Sequence, residues 1–177
     1  MKVIKLAILS FVFLFVLIFL ISLLIPSHIV VSRATDIDAP RDSVMAMIRD
    51  AGRWKGWYPR IDSAKPLYVE GKLRGLLLDD KDPKGPTYLQ LETESVDEVT
   101  ALFVGNKIKP VLNTWKVIGH PDSGTLTLQW SMDFQLRWYP WEKFASLVLE
   151  KSNGQRMEIG LANIKKSSEI NLSSNSQ

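Results

Sequence analysis

Hydrophobic positions fall along this chain in three patterns, and each predicts a different element. Leu6 to Ile25 runs for twenty residues without a charge, behind Lys2 and Lys5. At about 1.5 Å rise per residue, such a helix crosses the ~30 Å hydrocarbon core of a bilayer. From Thr125 to Trp138 the pattern changes to strict alternation: Leu126, Leu128, Trp130, Met132, Phe134, Leu136 and Trp138 are separated by Thr127, Gln129, Ser131, Asp133, Gln135 and Arg137. Period two over that length predicts a strand with one buried and one wet face. At ~3.3 Å per residue the strand is long enough to have to bend around something on its concave side.

Shorter segments of the same character are Leu67 to Val69, Leu73 to Leu78, Thr87 to Ser95, Glu98 to Val104 and Val111 to Ile118. Turn chemistry separates them at Glu70-Gly71, Asp82-Pro83-Lys84-Gly85-Pro86, Gly105-Asn106 and His120-Pro121-Asp122-Ser123-Gly124, which favours a hairpin meander. A further strand, His28 to Asp38, follows directly on the apolar run.

The third pattern is helical. After Asp38-Ala39-Pro40, the residues Val44, Met45, Met47 and Ile48 share a face before Asp50-Ala51-Gly52, and a short piece carries Trp54, Trp57 and Tyr58 up to Pro59. Late in the chain Pro140 precedes Trp141, Phe144, Ala145 and Val148. A break is expected at Asn153-Gly154, after which Met157, Gly160, Leu161 and Ile164 resume helical spacing. Residues 167–177 are polar and predict a fraying tail.

The division expected is thus a short n-region at 1–5, an anchor at 6–25, a single domain at 27–166 and the tail. The apolar run is longer than the roughly 7–15 residues of a cleaved signal, and the nearest small-x-small exit, Ser32-Arg33-Ala34, lies inside the first predicted strand, so cleavage is the alternative rather than the leading reading. An uncleaved single-pass anchor is expected, with the lipid bilayer as partner. Lys2 and Lys5 favour a cytoplasmic N-terminus and a periplasmic or extracellular domain, a preference that Arg33 and Arg41 on the other side dilute.

Without Lys2 and Lys5, 20 Lys and Arg face 19 Asp and Glu, and no basic run interleaves with aromatics, so nucleic-acid binding is not expected. The absence of cysteine excludes disulfides, thiolate metal sites, a cysteine nucleophile and lipidation on cysteine.

The residues at the joints of this pattern resemble those of the START-like or SRPBCC superfamily, in its polyketide cyclase/dehydrase branch. The entry carries Asp38-Ala39-Pro40, Val44, Ile48, Trp54 and Trp57-Tyr58-Pro59. The exit carries Pro140-Trp141, Phe144, Gly154, Met157-Glu158 and Gly160-Leu161-Ala162-Asn163-Ile164-Lys165, and is similar to membrane-tethered bacterial members. The resemblance implies an α+β helix-grip fold: a curved seven-stranded antiparallel sheet wrapped around a long terminal helix, with two short helices after the first strand. It also implies a cavity for apolar molecules between sheet and helix.

Candidate chemistry is sparse. His28 and His120 have no acid at triad-like spacing and no metal motif. Asp79, Asp80 and Asp82 suggest calcium, but Lys84 and Leu91 fall where an EF-hand loop needs its fifth and twelfth ligands, leaving a solvated hairpin loop. Asp133 and Arg137 lie on the polar face of the long strand, and Asp133 becomes a general base only if a register shift turns that face inward. No cofactor is implied.

The aromatic and methionine residues are the better candidates. Trp130, Met132 and Phe134 point to the face opposite Met157, Leu161 and Ile164, with Trp115 and Phe103 on neighbouring strands and Trp54 and Trp57 in the short helix. These ten residues are the expected lining of a cavity for an apolar ligand, or else a filled core. Trp57, Trp138 and Trp141 also suit a membrane interface. The sequence therefore leads to a membrane-anchored binder of a lipid-like small molecule without catalysis. Two alternatives stay open: a cyclase, dehydrase or hydrolase with Asp133, Glu92 or His120 in the pocket, and a protein-interaction module with a collapsed cavity. Oligomeric state is left open.

Overall fold

The computed structural model describes residues 2–106, 108–119 and 125–175; the turn expected from His120 to Gly124, and with it His120, lies outside them. The apolar run forms α1 (Lys2–Leu23), the one helix among the described residues long and apolar enough to cross a membrane. Then come β1 (His28–Ile37), α2 (Arg41–Arg49), a 3-10 turn (Ala51–Arg53), α3 (Trp54–Trp57), β2 (Lys65–Val69), β3 (Lys72–Asp79), β4 (Thr87–Glu94), β5 (Glu98–Val104), β6 (Val111–Gly119), β7 (Leu126–Gln135), α4 (Pro140–Ser146) and α5 (Leu149–Asn175).

The seven strands form one antiparallel sheet in the order β1-β7-β6-β5-β4-β3-β2. The meander from β2 to β7 is what short turns dictate, and β1 closes against β7 from His28 opposite Gln135 to Ile37 opposite Leu126. Alternation holds through β7: Leu126, Leu128, Trp130, Met132 and Phe134 are buried. The strand is shorter than its pattern, because Leu136 leaves the ladder after donating its backbone N–H to the Ser27 carbonyl at 2.7 Å.

Helix α5 lies on the concave face of the sheet, with Met157, Leu161 and Ile164 buried against it. Contrary to the expected break at Asn153-Gly154, α5 runs through both residues. Asn153 turns its Nδ2 back to the Leu149 carbonyl at 3.0 Å, and Gly154 leaves room for the guanidinium of Arg33 on β1. Arg33 pairs with Glu158 at 2.9 Å and with Glu150 at 3.7 Å, fastening the helix to the sheet edge. The chain breaks earlier, at Leu147-Val148, between α4 and α5. The helix also continues past Lys166 into the segment read as a tail. There Ser168 is buried, and its hydroxyl donates to Met47 Sδ at 3.4 Å.

Two glycines of α5 separate packing from propensity. A Cβ at Gly160 would stand 2.7 Å from Cζ3 of the fully buried Trp130 and 3.3 Å from Cδ of the half-buried Pro59, whereas one at Gly154 would meet only the movable end of Arg33. Alanine gains up to ~1 kcal/mol of helix propensity at either site. Gly160→Ala is nonetheless expected to lose about 1–2 kcal/mol net through overpacking, while Gly154→Ala stays within about 1 kcal/mol of the parent. Urea unfolding of the two variants checks the pair, and equal stability would mean that α5 does not seat on Trp130.

Candidate functional site

The two short helices deliver aromatic rings to the centre of the grip. Val44, Met45, Met47 and Ile48 seat α2 on the core, and the Asp50 carboxylate accepts the Gly52 N–H at 2.9 Å to cap the turn into α3. Trp54 and Trp57 donate their indole N–H groups to the Ile48 and Met47 carbonyls at 2.7 and 3.1 Å. Their rings meet Trp115, which also faces Trp130 at 5.3 Å between centroids, and Tyr58 lies 5.1 Å from Trp130. Trp54, Trp57, Trp115 and Trp130 are essentially solvent-free, so this assembly is solid core.

Beyond it the grip is not filled. A cavity of about 300 Å³ lies between the sheet and the first turns of α5, walled by Phe103, Val111, Met132, Phe134 and Leu149, with Ile108 at its rim. A smaller space of about 110 Å³ shares Ile108, Val111, Phe134 and Leu149 with it and continues to Ala145 and Ser146 of α4. Together they sit at the end of the sheet where β1 arrives from α1, since Gln135 at that end of β7 faces His28.

One corner of the larger space is polar. Asn113, Asn153, Arg156 and the Tyr58 ring border it. Asn113 Oδ1 accepts the Trp130 indole N–H at 3.2 Å, and Arg156 donates to Asn153 Oδ1. Burial pushes the Tyr58 phenol up to about 12, against a smaller opposing pull from the Arg156 charge, so the hydroxyl is a neutral donor at any ordinary pH.

The match to known families settles what this architecture is. Residues 28–169 fit the model of the family described as polyketide cyclase/dehydrase and lipid transport. The chain belongs to that family. Among solved structures it is similar to a START superfamily protein from Mycobacterium smegmatis, at 15% identity over 79% of this chain and 97% of the other, TM-score 0.56. It is similar also to the Zhui aromatase/cyclase from Streptomyces sp. R1128, at 13% identity over 80% and 94%, TM-score 0.58. Truncated norcoclaurine synthase from Thalictrum flavum aligns at 9% identity over 78% and 92%, TM-score 0.58. At these identities the likeness is one of fold. No curated protein sequence matches significantly.

Within this member of the polyketide cyclase/dehydrase and lipid transport family, the ten residues expected around the cavity divide. Phe103, Met132 and Phe134 border it. Trp54, Trp57, Trp115, Trp130, Met157, Leu161 and Ile164 are packed into the core beside it, because the two α2–α3 indoles reach across and fill the space facing Trp130. The open volume is displaced toward α4. Val111, Leu149, Tyr58, Asn113, Asn153 and Arg156 were not singled out as lining by the sequence pattern. A polar residue read as one helix turn or one strand position carries no sign that it faces a void.

The polar candidates stand elsewhere. Asp133 lies on the outer face of β7, where its carboxylate meets His28 Nε2 at 2.7 Å, a pairing made by the β1–β7 register between residues far apart in sequence. Glu92 is exposed, and Arg137 pairs with Glu142 at 3.6 Å. Asp79 and Asp82 accept the backbone N–H groups of Lys81 and Lys84, as turn residues do, and Lys65 beside Asp80 holds that carboxyl below its usual range. No group of three metal-ligating side chains occurs among the described residues.

Helix α4 links this site to α1. Lys143, only 6% exposed, donates from Nζ to the Ile25 carbonyl and to Ser27 Oγ, each at 2.6 Å. Trp138 meets Phe19 of α1 edge-on at 6.3 Å, and Tyr139 stacks on Trp141. Trp138 and Trp141 keep about two-thirds of their surface exposed, at 66% and 64%. Trp57, by contrast, is core and not interfacial.

Proposed function

We propose that the chain is a membrane-anchored binder, without catalysis, of an apolar or amphipathic small molecule held between the β5–β7 face of the sheet and the start of α5. The observation that carries this reading is the pair of adjoining spaces that share Val111, Phe134 and Leu149, the larger also walled by Phe103 and Met132, beside a core of fully buried indoles. A concave, mostly apolar space with a few polar groups at one corner is the usual form of a small-molecule site. The family's description, polyketide cyclase/dehydrase and lipid transport, supports such a ligand. The non-catalytic reading is favoured because Asp133 and Glu92, the described acids suggested for chemistry, face away from the cavity.

The anchor gives this reading its setting. With α1 across the bilayer, α4 and the smaller space come close to the headgroup region, so that a lipid-like molecule has a short path between membrane and cavity. Lys2 and Lys5 favour a cytoplasmic start and a domain on the far side.

Native mass spectrometry of the full chain released from membranes in mild detergent tests the binding reading: bound apolar adducts support it, and a ligand-free chain from every preparation overturns it. The absence of cysteine makes topology directly measurable. Ser63→Cys, on an exposed turn, is expected to react with a membrane-impermeant maleimide in intact cells or spheroplasts; labelling only after lysis would reverse the orientation.

A further inference from the structure

The polar corner of the cavity points to the chemistry of its ligand. This rests on the binding reading above and names the class of molecule. Arg156 projects from the second turn of α5 at the edge of the apolar space, partly buried. Among the described residues no carboxylate lies within ion-pair distance of its guanidinium, although Arg33, Arg41, Arg53, Arg74 and Arg137 all have one. One donation, to Asn153 Oδ1, is the hydrogen bond that its five N–H donors make among the described residues, and the side chain borders the cavity.

Beside it stands a second unmatched donor. Tyr58 is 95% buried, at 5% exposure, and lines the same space, and no hydrogen bond engages its hydroxyl among the described residues. Its phenol stays protonated well above neutral pH, so it donates and does not repel a negative charge. A cation and a neutral donor that converge on an apolar cavity without an anion of their own form half of a charge-assisted site. The opposite signs nearby are accounted for: Glu150 and Glu158 face Arg33, and Glu142, at the smaller space, is held by Arg137.

We propose that the cavity binds a single-chain amphiphile whose anionic head, a carboxylate or a phosphate, sits between the Arg156 guanidinium and the Tyr58 hydroxyl, with its chain along Val111, Met132, Phe134 and Leu149. The volume argues for one chain. About 300 Å³, with about 110 Å³ beyond, is at the small end of the range of roughly 300–1,000 Å³ usual for small-molecule sites and too little for a two-chain lipid.

The test uses the full chain in zwitterionic nanodiscs, with empty nanodiscs as the blank, and three probes of equal chain length: dodecanoate, dodecyl phosphate and dodecanol. At least one anion is expected to bind on the order of tenfold more tightly than dodecanol, as a charge-assisted contact provides. Whichever anion is preferred assigns the head as carboxylate or phosphate. Arg156→Met, which keeps the stem's apolar volume, is expected to erase the preference by weakening the anion far more than dodecanol. Arg156→Lys keeps part of it, and Tyr58→Phe weakens the anion a few-fold. Equal binding of all three probes by the parent, or an anion preference that survives Arg156→Met, overturns the headgroup assignment and leaves the binding reading standing. Failure of all three to bind the parent overturns both.

Discussion

Trp130→Ala is expected to destabilise the domain by about 3–5 kcal/mol, the usual cost of deleting a fully buried indole. Trp130 has no exposed surface and is the ring on which the core converges: Tyr58 at 5.1 Å, Trp115 at 5.3 Å and Trp57 at 6.1 Å between centroids, with Gly160 of α5 against its far edge. Its loss leaves a void that the neighbouring rings are poorly placed to fill, since Trp57 is pinned by its indole N–H to the Met47 carbonyl and Trp115 is wedged between Trp54 and Trp57. It also strands Asn113 Oδ1, a buried acceptor that forms part of the cavity wall. Against total stabilities of ~5–15 kcal/mol, that is enough to populate the unfolded domain on warming. Thermal unfolding followed by near-ultraviolet circular dichroism reads the effect; a change below about 1 kcal/mol would mean that the aromatic cluster is loosely held.

Val111→Trp is expected to leave the fold intact and abolish ligand binding, by roughly a hundredfold or more, equivalent to ~2.7 kcal/mol. Val111 is buried and belongs to the wall of both spaces, so an indole there has volume to enter and takes up room in each. Because the space is otherwise unfilled, the change avoids most of the overpacking cost of a close-packed site, and stability should move by less than about 1–3 kcal/mol. Adducts that persist unchanged in native spectra of this variant would place the ligand elsewhere. The two substitutions act oppositely: one removes core and loses fold, the other adds core and loses function.

Much of this architecture is legible in the sequence because its signals are local. Strict alternation from Leu126 to Phe134 marks β7, the short turns between strands mark the meander, and Val44, Met45, Met47 and Ile48 mark α2. The misreadings come where local preference meets a distant partner. Asn153-Gly154 looks like a helix end, but Arg33 on the far strand occupies the space that the glycine leaves. Ser168 looks like tail, yet Met47 of α2 receives it.

The site was legible only in part, for the same reason. Phe103, Met132 and Phe134 follow from the inward face of their strands. That Trp54, Trp57 and Trp115 complete a solid core, and that the void opens toward α4, depends on how the rings from α3 pack across the sheet. Arg156 and Tyr58 are brought together by the approach of α5 to the α3 end, which no spacing along the chain reveals.

The most direct measurement of the central claim is a high-resolution structure of the full chain purified from membranes without delipidation, read at the space bounded by Phe103, Val111, Met132, Phe134 and Leu149. The account predicts elongated density for a single chain there, ending at Arg156 and Tyr58. A space closed by movement of α5 onto the sheet, or filled only by ordered water, would contradict it.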